Sequence, residues 1–362
     1  MKETLIDNKR FQVYKENGRW LGFEKPHEVY THKEDIFIQE IEKDSVKSMS
    51  NGFDKINAKN IFKKGDLVAI KVNLGGGIHH VLSSYTDPDL VRTAVIKLRE
   101  LGTKPFVCEA NMRGHRITPQ ILQVRDYTSF MQELKVPWVN LSTIPKVSFK
   151  FLGIKTSVDL PLLLLKPNVK IISFPPPKHH WECGITCAQK NMYGAISNYR
   201  KSRYHRYFEM IDYVVAGAAR IMKPVLSIVG SKQLGAGLGP HFCIPFNFYK
   251  LIFAQDMLSC DKYCAEFLGY PVERIKYYEI NRQGADVKYH VLPGSAEMEK
   301  GMLEKIQENY IDPKTVDLYK KTLFIQYFIP SFLQIKAYHH FEWLLTWMNH
   351  KYYVPQGDKP KF

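Results

Sequence analysis

"KKGDLVAIKVNLGGG", residues 63–77, sets a turn before an apolar, β-branched run and closes on three glycines. Together with the two stretches that follow, it decides the fold. "TDPDLVRTAVIKLRELG", 86–102, places Leu90, Val91, Ala94, Val95, Leu98 and Leu101 at helical spacing. Asp87 is a natural N-cap, Pro88 takes the first helical position and Gly102 stops the helix. "KPFVCEAN", 104–111, is a second buried strand. Strand, loop, helix and strand over 64–111 make the right-handed crossover of a parallel sheet.

Outward from there the pattern repeats. A helix is expected around "DYTSFMQELK" (126–135), strands at "PWVNLS" (137–142), "VKIISF" (169–174) and "VLSIVGS" (225–231), and helices at "ITCAQKNMYGAI" (185–196), with Gly194 inside it, and "YFEMIDYVVAGAARIM" (207–222). "QLGAGLGP" (233–240) reads as a glycine-rich loop, and "FYKLIFAQDMLSCDKYCAEFLG" (248–269) as a helical pair or one broken helix ending at Gly269. The expected architecture is α/β: a mainly parallel sheet with flanking helices, in one large or two interlocked lobes, plus a C-terminal helical appendage. Residues 1–60 read as an N-terminal wrapping segment, 61–310 as the α/β core and 311–362 as an aromatic-rich appendage carrying Trp343 and Trp347 and broken by Pro330.

Composition bounds the function. The 362 residues are 45% hydrophobic and 24% charged, ordinary values for a folded chain. An excess of 51 basic over 36 acidic residues, net +15, favours anionic partners. The six cysteines are few and the N-terminus lacks the apolar core of a secretory signal, so the expected location is the cytoplasm, free or peripheral to a membrane. No apolar run is long enough for a spanning helix, because prolines and lysines break 158–174.

Ligands of open α/β sheets bind beyond the carboxyl ends of the strands, and four groups of polar residues fall there. Lys71 and Asn73 alternate on one strand and so share a face, with Gly75, Gly76 and Gly77 allowing close backbone approach and His79 and His80 just beyond. The triplet matches neither Walker nor dinucleotide spacing. Glu109 and Asn111 end the neighbouring strand. "FPPPKHHWECGITCAQKNMYG" (174–194) supplies Lys178, His179, His180, Thr186, Lys190 and Asn191. Asp256 and Asp261 stand five apart, placed to cap a helix, bind a divalent cation or pair with lysines such as Lys71 and Lys190. His179, Cys183 and Cys187, spaced by four, would share a helical face if that helix started early, but three ligands in one line chelate poorly and buried free thiols are the expectation. "SNYRKSRYHRY" (197–207) interleaves Arg200, Lys201, Arg203 and Arg206 with Tyr199, Tyr204 and Tyr207; it suits a nucleic-acid strip, a basic surface or a loop over an anionic ligand.

"VAIKVNL", the T-D-P helix, "KHHWECGITCAQKNMYG" and "DMLSCDKYCAEFLG" resemble, in order, the signature blocks of the domain family of unknown function numbered 362. Lys71, Asn73, Thr86 to Pro88, Lys178, His180, Thr186, Lys190, Asn191, Gly194, Asp256 and Asp261 match those blocks, over roughly residues 64 to 285. Two departures stand out: Gly230 or Ser231 occupies the place where the family often has an aspartate, and the ferredoxin-like four-cysteine motif carried by many relatives is missing.

The expected function is an enzyme with a cationic strand-end cleft. It would bind a small anionic substrate or an organic cofactor and use acid–base or redox-cofactor chemistry. His180, Lys190 and Lys178 are the candidate catalytic groups. Lys71, Asn73, Gly75, Gly76, Glu109, Thr186, Asn191, Asp256 and Asp261 are the candidate binding groups. No cofactor is specified, no iron–sulfur motif is present, and a divalent metal is one option. The partner expected first is a small anion, then a homo-oligomer through the appendage. The alternative is a non-catalytic protein docking nucleic acid or an anionic membrane surface through its basic residues and aromatic tail.

Overall fold

The computed structural model describes residues 3–75, 82–112, 116–198, 201–205, 210–240 and 242–309. The chain begins with β1 (Glu3–Asp7), β2 (Phe11–Glu16), β3 (Arg19–Glu24) and β4 (Asp35–Glu40), followed by helices α1 (Ser45–Lys55) and α2 (Ala58–Ile61). The crossover is β5 (Leu67–Val72), α3 (Pro88–Glu100) and β6 (Lys104–Glu109). Next come α4 (Pro119–Val124), α5 (Tyr127–Glu133), β7 (Trp138–Asn140), β8 (Lys146–Lys150), β9 (Val158–Pro161), α6 (Leu162–Leu165) and β10 (Val169–Phe174). A small hairpin, β11 (Lys178–His180) and β12 (Gly184–Thr186), leads into α7 (Ala188–Gly194), a tight turn (Lys201–His205) and α8 (Met210–Ile221). The described chain closes with β13 (Leu226–Leu238), β14 (Phe242–Ala254), α9 (Met257–Phe267), α10 (Lys276–Arg282), β15 (His290–Val291) and α11 (Lys300–Glu308).

The main sheet runs β15-β4-β14-β13-β10-β5-β6-β7. Its centre, from β13 through β7, is parallel, and β14 adds antiparallel to β13 and β4. A second sheet, β1-β2-β3-β8-β9, draws three strands from the N-terminus and two from the middle of the chain. The first sixty residues therefore serve both sheets, through β1–β3 in one and β4 in the other.

The α3 signals act as their chemistry requires. The Asp87 side chain accepts the Asp89 amide at 3.0 Å, Pro88 opens the helix, and Gly102 leaves it at φ +77°. Alternation divides β5 between two cores. Val68, Ile70 and Val72 pack with α1, α3 and α5, whereas Ala69 faces the layer of α7, α8, α9 and α10. Lys71 follows Ala69 by two and lies on that second face.

Two readings change. Residues 233–238 belong to β13 and 248–254 to β14, so a long antiparallel hairpin stands where a loop and a helix were expected. A Cβ on Gly235 would come 2.6 Å from Cys243 Sγ, so this glycine marks strands in close contact rather than a turn. The helix starts only at Met257, where Asp256 caps it. His179, Cys183 and Cys187 share no helix face either: His179 is on β11, Cys183 in the hairpin turn, and Cys187 precedes α7. Residues 310–362, with the whole aromatic appendage, lie outside the described residues.

Candidate functional site

β10 and β6 flank β5 in register, Ser173 beside Lys71 and Lys71 beside Cys108. Lys71 Nζ forms a 2.7 Å ion pair with Glu109 Oε1, and both side chains are almost fully buried. The ammonium also donates to the Val72 carbonyl at 2.7 Å and to Asn191 Oδ1 at 3.3 Å. Glu109 accepts the Ala110 amide at 2.9 Å and the Leu74 amide at 3.3 Å. Hydrogen-bond satisfaction of both partners is what makes a buried pair tolerable.

Asn191 projects from α7 onto the strand ends. Its Nδ2 donates to the Lys71 carbonyl at 2.8 Å and to Ser173 Oγ at 3.1 Å. Asn73 Nδ2 reaches Asn191 Oδ1 at 3.5 Å, while Asn73 Oδ1 accepts from Lys178 Nζ at 3.2 Å and from the Gly75 amide at 3.1 Å. Lys178 donates as well to the Ser84 carbonyl. Thr86 explains its own place in the motif: its hydroxyl accepts the Asn73 amide at 2.8 Å and donates to the Phe174 carbonyl at 2.5 Å, tying β5 to β10.

Two more lysines approach from α7 and the turn after it. Lys190 Nζ lies 4.7 Å from the centroid of the Tyr193 ring, and Lys201 Nζ lies 5.9 Å from the same centroid while donating to the Gly194 carbonyl at 2.8 Å. Gly194 permits this crowding, since a Cβ there would stand 2.6 Å from Lys71 Nζ and 2.8 Å from Glu109 Oε1. Burial lowers Lys178 to about 8, with Lys190 and Arg125 adding repulsion. Burial likewise brings Lys201 to about 7, opposed by Glu109 and reinforced by Lys71 and Lys190. Arg125, fully buried, stacks 4.7 Å from the Tyr85 ring centroid. Four lysines thus share one neighbourhood with Glu109, which is already paired with Lys71. Among the described residues, Lys190 and Lys201 form no ion pair with a carboxylate.

This order of strand, T-D-P helix, hairpin and α7 agrees with a family comparison, in which the model described as Domain of unknown function (DUF362) matches residues 68–266, more than half of the chain. The chain belongs to the DUF362 family. Lys71, Glu109, Lys178, Lys190 and Lys201 all fall inside the DUF362 match. A curated relative, a thylakoid-associated protein of Synechocystis sp., is 25% identical over 215 residues, which is 56% of this chain and 63% of that protein. The chain thus spans less than two thirds of that relative's length.

The other predicted DUF362 residues are placed differently. His180, nearly buried on β11, accepts the Glu182 and Cys183 amides at Nδ1, at 3.2 and 3.3 Å, so that nitrogen serves the hairpin turn. His179 is structural: Nε2 meets the Leu268 carbonyl at 2.7 Å, Nδ1 accepts the Gly237 amide at 3.0 Å, and burial lowers it to about 4, keeping it neutral. Thr186 is buried opposite Lys178 in the hairpin.

Neither aspartate pairs with Lys71 or Lys190. Asp256 caps α9 through the Leu258 and Ser259 amides, at 2.9 and 2.8 Å, and binds Thr31. Asp261 caps α7 from α9, accepting the Ala188 and Gln189 amides at 2.7 and 3.2 Å and Gln189 Nε2 at 3.0 Å. Burial raises Asp261 to about 7 despite those donors. Asn111 holds the Ile117 amide and Asn140. Gly76, Gly77, His79, His80, Arg200 and Arg206 lie outside the described residues.

All six cysteines are buried free thiols, and burial pushes the Cys264 thiol well up, with Cys187 and Cys260 nearby adding to the shift. Among the described residues no group of three or more histidine, cysteine, aspartate or glutamate side chains is arranged to hold a metal ion, and no helix is long and apolar enough to cross a membrane. Tyr193 and Lys201, which border the lysine cluster, were not singled out in the sequence. Tyr193 sat unremarked beside matched positions, and Lys201 was absorbed into the basic run after Asn198.

Proposed function

We propose that this protein binds a small organic anion at the carboxyl ends of β5, β6 and β10 and carries out proton-transfer chemistry on it. The observation that carries the reading is the charge imbalance around Glu109: four lysines, three of them without a carboxylate partner among the described residues, gathered where an α/β sheet receives ligands. An anion would offset that repulsion. Lys190 and Lys201 would bind its charged end, Asn73 and Asn191 would orient Lys178 and Lys71, and Lys201, lowered to about 7 by burial, would bind most strongly on the acid side of neutrality.

Sulfate keeps its charge across neutral pH and so serves as a probe, followed by a panel of small carboxylates and phosphates in equilibrium dialysis. Wild type should bind, and Lys190→Ala or Lys201→Met should weaken binding about tenfold or more, equivalent to about 1.4 kcal/mol. Absence of anion binding by folded wild-type protein would overturn the reading. Native mass spectrometry of the protein as purified would identify a resident organic group at the same place.

A further inference from the structure

Behind the lysines lies a chain of three buried polar side chains that the anion-binding reading does not use. Glu182, in the β11–β12 turn, is fully buried and meets His205 Nδ1 at 2.6 and 2.8 Å through its two oxygens. His205 Nε2 lies 3.1 Å from the Tyr193 hydroxyl, which also stands 3.3 Å from the Lys201 carbonyl. The two rings are nearly perpendicular, at 85°. The ring of Tyr193 itself borders the lysines, with the Lys190 and Lys201 ammonium groups at 4.7 and 5.9 Å from its centroid.

The geometry points to Glu182, His205 and Tyr193 as a proton relay that serves the lysine site. This rests on the anion-binding reading above and names its acid–base group. With Nδ1–H donating to Glu182, the imidazole leaves Nε2 to accept the Tyr193 hydroxyl proton. As the Tyr193 oxygen takes a proton from the bound anion, its own proton passes to His205 Nε2. The imidazolium so formed is held by the Glu182 carboxylate, and the reverse step returns the proton. One proton leaves the substrate and one arrives on His205, so charge balances without any other reactant. The substrate class that fits is a small anion with a weakly acidic C–H beside a carbonyl or carboxylate, whose developing negative charge Lys190 and Lys201 would face. Tyr193 is then the catalytic group, and His205 and Glu182 act through it.

The same atoms also allow a static arrangement. In it His205 is a permanent imidazolium paired with Glu182, Nε2–H donates to the Tyr193 oxygen, and the Tyr193 hydroxyl donates to the Lys201 carbonyl. Nitrogen NMR on the full chain with labelled histidine separates the two, with the His205 signals assigned by their loss in His205→Gln. The relay predicts Nδ1 protonated and Nε2 bare at neutral pH, an Nε2 signal displaced by Tyr193→Phe, and a midpoint for the second protonation that rises when sulfate binds to wild type but not to Tyr193→Phe. A doubly protonated His205 from about pH 5 to about pH 9, or a midpoint indifferent to sulfate in a protein that binds it, would overturn the relay and leave anion binding standing. Wild type that binds no sulfate would fail at the earlier reading instead, and the protonation state of His205 is still read without ligand.

Discussion

Gly194 shows how little room the site leaves. It ends α7, where alanine would suit the helix, yet a Cβ would press on the Lys71–Glu109 pair. Gly194→Ala should cost about 1–3 kcal/mol in chemical denaturation, the range for overpacking a filled interior, and should weaken sulfate binding in the same protein. A variant as stable as wild type would show that the pair can shift freely. Glu109→Gln strands the Lys71 ammonium in the interior and should cost about 3–5 kcal/mol. At this scale strand alternation was enough to select Lys71 and Asn73, strand-end placement selected Lys178, Lys190 and Asn191, and the family blocks share all five. Alternation could not find Glu182 and His205, because their partnership joins a hairpin turn to a tight turn twenty-three residues on, a contact made only in three dimensions.

The elements were legible wherever caps and periodicity agreed, as in the crossover from β5 to β6. They were not legible at β13 and β14, where glycines that let two strands approach look like glycines that let a chain turn. The contact between α9 and α7 has its own pH signature. Burial raises Asp261 to about 7 in the fold from its ordinary 3.8, so between those values the folded state holds the extra proton and stability falls as pH rises. Asp261→Asn should flatten that part of a stability profile taken from about pH 4 to about pH 7. An unchanged slope would place the titrating group elsewhere.

Across the whole molecule the second sheet is joined to the α/β layer by a buried pair, Glu24 of β3 and Arg220 of α8, 2.5 Å apart, with Asn281 of α10 accepting from the same guanidinium at 3.0 Å. Arg220→Ala should cost about 3–5 kcal/mol by abandoning Glu24 in the interior. Charge acts at this scale as well. Lys201 and Lys178, lowered to about 7 and about 8, lose their protons as pH climbs through those values, so sulfate should bind more weakly near pH 8.5 than near pH 6.5. Affinity that rises over that interval would mean other groups dominate. The net charge and the fold class were readable without coordinates; the join between the sheets was not, since neither Glu24 nor Arg220 stands in a motif. Finally, the six buried thiols make the protein its own clock. Cys108 lies on β6 beside β5, Cys183 in the β11–β12 turn, Cys243 on β14, and Cys187, Cys260 and Cys264 between α7 and α9. A thiol reagent can reach each only when that part opens, so the order of labelling would reveal which layer of the native protein breathes first, and whether an anion in the lysine cleft slows it.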